Sequence, residues 1–178
     1  MIRILKHVVL GLAALVTLSV SSAAAAAVQI SFYSRELGGN NFPHAFVTLK
    51  GRPDAGGAEI DTAYGFTAKA ISPAVLMGSV GGAVLNEPRS YIEKSDRQFS
   101  LMLTDAQYAA VMQTVDQWKN KPQPSYNLNR ANCVHFVAEV AQAIGLRVPD
   151  RKELMKKPRS FLLAVKAENP QLATSAAE

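Results

Sequence analysis

The sequence predicts an α+β fold in which an antiparallel sheet packs against helices, one of them carrying a cysteine in its first turn. Three observations predict it. Residues 28–35, 44–49 and 98–103 alternate side-chain character with period two, the pattern of half-buried strands. Residues 105–120 and 132–145 instead space their apolar side chains three and four apart, as amphipathic helices do. The segment 51–57, Gly-Arg-Pro-Asp-Ala-Gly-Gly, is a turn that returns the chain antiparallel to the strand before it.

At 178 residues and 48 % apolar, the chain can bury one domain's core. Residues 1–27 stand apart from that domain. Arg3 and Lys6 form a basic start, residues 8–20 are apolar or small, and the alanine-rich run to Ala27 offers Ala-x-Ala cleavage sites. This reads as a signal peptide cleaved before Val28, which implies a periplasmic or secreted protein. The apolar run is too short for a stable membrane span, and no cysteine follows it to take a lipid. Without Arg3 and Lys6 the chain holds 17 basic against 14 acidic residues, a net charge of +3. That balance gives no warrant for nucleic-acid binding.

In chain order, Val28, Ile30 and Phe32 alternate with Gln29, Ser31 and Tyr33 in a first strand over 28–35, and 37–43 is a loop ended by Pro43. Residues 44–49 form the second strand, with His44, Phe46 and Thr48 on one face, and 58–65 return beside it. Residues 70–85 are apolar and glycine-rich. Ser72 and Pro73 open a short helix closed by Gly78, and 79–82 read as a flexible turn. This stretch is either a flap over a cleft or an insertion packed on the sheet; it lacks the glycine-plus-lysine signature of a phosphate loop. Residues 89–103 offer further strand, best at 98–103. The Thr104-Asp105-Ala106-Gln107 capping box then opens a helix to about Asn120, with Tyr108, Val111, Met112, Val115 and Trp118 as its core stripe. The basic run over 147–166 reads as a solvated helix face, and 169–178 as a disordered tail after a domain spanning 28–168.

The stretch that carries chemistry is 126–140. Asn127, Asn129, Arg130 and Asn132 make a polar turn that breaks at Cys133 into a helix ended by Gly145. Cys133 is the only cysteine in the chain, so it has no intrachain disulfide partner in an oxidising compartment. Most free cysteines are small core residues, but the open N–H groups of a first helical turn favour a thiolate. Asn132-Cys133-Val134-His135-Phe136 resembles the Asn-Cys-x-His-Phe motif of circularly permuted papain-like hydrolases. These form the NlpC/P60 superfamily branch that includes lecithin:retinol acyltransferase-like proteins. The resemblance covers roughly residues 28–146. It implies a permuted papain-like domain with the catalytic histidine on a strand upstream of the cysteine, and here the strand beginning at His44 supplies one.

A thiol site of this kind needs a base and a group that orients the imidazole. With Cys133 as nucleophile and His44 as base, Asp61 on the neighbouring strand is the first choice for the orienting group and Glu59 the second. Both share the His44 face if the register holds. His135 is the alternative base and otherwise packs behind the nucleophile; Asn132 supports the motif. Backbone N–H groups of 132–134 are candidates for the oxyanion. Cys133 and His135 point apart on a helix, so no metal site is expected, and no cofactor is implied. Export points to an amide bond in peptidoglycan stem peptides as substrate, as in NlpC/P60 relatives. The alternative on the same fold, to which the acyltransferase-like motif points, is a lipid-directed acyltransferase or amide or ester hydrolase. A non-catalytic envelope-binding domain on the same fold is the alternative from another class.

Overall fold

In the computed structural model, which describes residues 28–36, 42–70 and 72–174, the alternating segments join into one five-stranded antiparallel sheet. Its strands are β1 (Val28–Arg35), β2 (His44–Gly51), β3 (Ile60–Ala68), β4 (Gly82–Leu85) and β5 (Asp96–Leu103), in the order β4-β3-β2-β1-β5. The register puts Val28, Ile30 and Phe32 opposite Gly51, Leu49 and Val47 on one side. On the other side they meet Leu103, Leu101 and Phe99. One face of the sheet is thereby continuously apolar, and the helices cover it. Residues 1–27, read above as a signal peptide, lie outside the described residues, as does most of the 37–43 loop.

The helices are α1 (Ala74–Met77), α2 (Arg89–Ile92), α3 (Asp105–Lys119), α4 (Cys133–Ala143), α5 (Pro158–Glu168) and α6 (Gln171–Thr174). Helix α4 packs on β2 and β3 and against α3, while α5 packs on β1 and β5. Phe32, Leu49, Phe66, Trp118, Phe136 and Phe161 are fully buried between the layers, each worth roughly 2 kcal/mol or more of transfer free energy. Trp118 sits edge-on to Phe66 and Phe136 and donates its Nε1–H to Glu139 at 2.6 Å, so its one polar atom is satisfied. The α3 capping box forms between Thr104 and Gln107. Asp105, in the first turn of α3, accepts the N–H groups of Asp54 and Ala55 at 2.8 and 2.7 Å and so anchors the β2–β3 turn.

Three segments depart from the expectations above. The 79–82 segment is not a free turn: Val80 bridges to Tyr126, and Gly82 already begins β4, which pairs with the far end of β3. Residues 89–92 are helix, not strand, because Pro88 is extended and its carbonyl accepts the Ile92 N–H, closing one turn. The basic run over 147–166 does keep its cations at the surface, on a 3-10 turn, Lys152–Leu154, and on the outer face of α5, whose Phe161, Leu162 and Val165 face the core. The fold also continues past Glu168. Buried Asn169 bonds both backbone groups of Arg147, at 2.9 and 2.7 Å, and α6 places Leu172 in the core. Residues 169–174 are therefore part of the domain, held by a polar clamp that a composition argument does not see. No helix among the described residues is long and apolar enough to cross a membrane.

Candidate active site

Helix α4 begins at Cys133 because Asn132 stops the preceding loop and caps it. The Asn132 Oδ1 accepts the N–H groups of Val134 at 2.8 Å and His135 at 3.2 Å. Its Nδ2 donates to the carbonyls of Leu128 and Met155, both at 2.8 Å. Asn132 is 2 % exposed, so one amide ties loop, helix and the 152–155 turn together. At the other end Gly145 takes a positive φ of 85°. Leu146 N–H bonds Ala141 O and Gly145 N–H bonds Gln142 O, the paired closure of a Schellman cap. The helix is thus fixed at both ends around a buried thiol.

His44, the first residue of β2, lies within electrostatic reach of the Cys133 side chain, which acts on its ring. Its Nε2–H donates to Glu87 Oε1 at 3.1 Å, and both side chains are largely buried. Burial lowers the His44 pKa, but the hydrogen bonds and charges of Cys133 and Glu87 outweigh it and raise it to about 9. Phe46 stacks 6.0 Å from the ring and Tyr91 meets it edge-on at 6.2 Å. Tyr91 is itself raised to about 12 by burial and the Glu87 charge. Beside Cys133, Tyr126 is raised by burial and by the charge of the thiol group.

Glu87 stands where Asp61 or Glu59 was expected. Asp61 does share the His44 face, but the register sets it opposite Lys50, six residues along β2. At about 3.3 Å per residue that is roughly 20 Å away. Asp61 is exposed and pairs with Arg89 at 3.0 Å, and Glu59 is exposed ahead of β3. Neither reaches the imidazole. Glu87 does so because β4 carries the chain back along β3 and Asn86 Oδ1 accepts the Ala63 N–H at 3.1 Å, fixing the loop. Gly65 leaves the room. A Cβ there would lie 2.5 Å from His44 Nε2 and 2.6 Å from Glu87 Oε1. One signal in the sequence could have found the acid: Glu87 is the single carboxylate between Asp61 and Glu93.

His135 serves the cap. Its Nδ1 lies 2.9 Å from Asn132 Oδ1 and 3.4 Å from Asn132 N, and burial lowers its pKa. Of the three N–H groups considered for an oxyanion, Val134 is committed to Asn132 and Asn132 to His135, which leaves Cys133's own. The thiol opens on a cleft of about 230 Å³ lined by Phe42, Pro43, Val75, Leu76, Leu128, Met155 and Pro158, with Lys156 as its one charged side chain. No group of three or more His, Cys, Asp or Glu able to hold a metal occurs among the described residues. Comparison with protein-family profiles, with curated proteins and with solved structures found no match.

Proposed function

We propose that the protein is an exported cysteine enzyme, of permuted papain-like arrangement, that transfers an acyl group through a thioester on Cys133. The observation that carries this is one buried imidazole that donates to the Glu87 carboxylate and is acted on by the Cys133 side chain, which opens on a cleft. With Nε2 given to Glu87, Nδ1 is the nitrogen left for the thiol. His44 takes the thiol proton and the sulfur attacks an amide or ester carbonyl. The Cys133 N–H stabilises the oxyanion, and His44 returns the proton to the departing amine or alcohol. Water or an acceptor alcohol then attacks the thioester with His44 as base, releasing the acid or the transferred acyl product. Glu87 holds the ring and balances its charge throughout.

The apolar lining favours a substrate whose acyl part is a hydrocarbon chain, hence a lipid amide or ester. The second reading, cleavage of peptidoglycan stem peptides, draws on the signal-like residues 1–27, which would place the enzyme beside that polymer. The test is incubation of the protein, thiol kept reduced, with N-acyl and O-acyl lipids and separately with sacculi, with Cys133→Ser as control. An acyl-sized mass increase on Cys133 supports the lipid reading. Muropeptide release by the wild type alone supports the second. Neither outcome would replace both with a non-catalytic binding domain.

A further inference from the structure

Helix α1 buries only one of its four side chains well. Val75 is 7 % exposed, while Leu76 and Met77 are 72 % and 88 % exposed. One exposed apolar residue on a surface is ordinary, but these two are held out by a buried anchor and do not stand alone. Half-exposed Phe42 lines the Cys133 cleft together with Leu76, so the apolar tip of α1 and the mouth of the cleft form one surface. An adjoining groove is lined by Leu76 and Met77 and by two cations, Arg130 and Lys156, and Lys156 lines both grooves. No acidic residue lines either one. Among the described residues, neither cation takes part in an ion pair.

We infer that this face docks on an anionic lipid surface. Leu76 and Met77 enter the boundary between headgroups and acyl chains, and Arg130 and Lys156 engage lipid phosphates. Two apolar side chains with adjacent cations are what such a boundary rewards, because it offers hydrocarbon and negative charge within one side-chain length. A hydrated anionic polymer would reward the cations and leave the apolar tip without a partner. Docking in this orientation turns the cleft toward the bilayer, so an acyl chain reaches Cys133 without crossing water. That purpose rests on the acyl-chain reading of the cleft. The docking itself is tested where no catalysis can occur.

The probe is Met77→Cys in a Cys133→Ser background, the single thiol carrying an environment-sensitive fluorophore. Gln113→Cys on the exposed face of α3 is the control. Both are mixed with phosphatidylglycerol vesicles and with phosphatidylcholine vesicles, and any binding by residues 1–27 is common to the two. The expected result is a blue shift at position 77 with phosphatidylglycerol alone, reversed by salt, and none at position 113. Each cation near an anionic surface is worth about five-fold in partition, so Arg130→Gln with Lys156→Gln should weaken binding roughly 25-fold. No shift at position 77, equal shifts at both positions, or a shift that salt and the double substitution leave unchanged would overturn the proposal. A shift that grows with protein concentration and needs no vesicles would replace it with self-association. Loss of docking leaves the thioester chemistry standing, and loss of the chemistry leaves docking measurable.

Discussion

At His44 two effects oppose each other: burial disfavours the charged ring, and the hydrogen bonds and charges of Cys133 and Glu87 favour it strongly enough to lift its pKa to about 9. The imidazolium is therefore present below that pH and lost above it. In a pH–rate profile, kcat/KM should fall on the alkaline side as pH passes about 9, because the ring that has taken the thiol proton must keep it to deliver it to the leaving group. In Glu87→Gln one of the raising contacts is gone, so that limb should move toward the acid side. The same variant should lose activity on the order of 10²-fold, whereas Asp61→Asn, which breaks only an exposed ion pair, should stay within about two-fold. Steady-state kinetics of the two variants side by side checks the assignment of the acid. At this scale the placement of Cys133 at a helix start was legible from a cap pattern, and His44 became a candidate through the motif resemblance and its position on a strand. Glu87 was not, because it follows β4, one strand beyond the neighbour of β2, and β4 is too short to announce itself.

The elements that place these residues can be tested separately from the chemistry. Gly65 lies within β3 at an ordinary strand backbone, where alanine is normally the better residue. Gly65→Ala should therefore fold and yet lose activity, because the added methyl occupies the contact between His44 and Glu87. An active Gly65→Ala would contradict that packing. Asn132→Ala removes a helix cap and strands two carbonyls, a loss of about 3 kcal/mol readable by denaturant unfolding. Helices α3 and α4 were legible because each has a full apolar stripe and a cap. Strand β4 has only four residues, too few to show alternation, and α2 is a single turn set by Pro88.

For the whole molecule, the sheet is completed by a long-range pairing, β1 with the edge strand β5, that local periodicity cannot announce; the β2–β3 return could be read because residues 51–57 are rich in glycine, proline and aspartate. Folding also links the site to stability. The His44 pKa is raised from 6.5 in the open chain to about 9 in the fold, so its contribution is complete below 6.5 and disappears as pH rises through 9. The melting-temperature gap between wild type and His44→Gln should accordingly narrow from below pH 6.5 to above pH 9; a gap that widens would contradict the sign. The proposed chemistry depends on His44 activating Cys133. Its most direct measurement is the rate of Cys133 alkylation by iodoacetamide at neutral pH in wild type, His44→Ala and His135→Ala. An ordinary thiol is only a few per cent ionised there, so His44→Ala should react at least about ten-fold slower, with His135→Ala close to wild type. Slow alkylation in His135→Ala with normal alkylation in His44→Ala would contradict it.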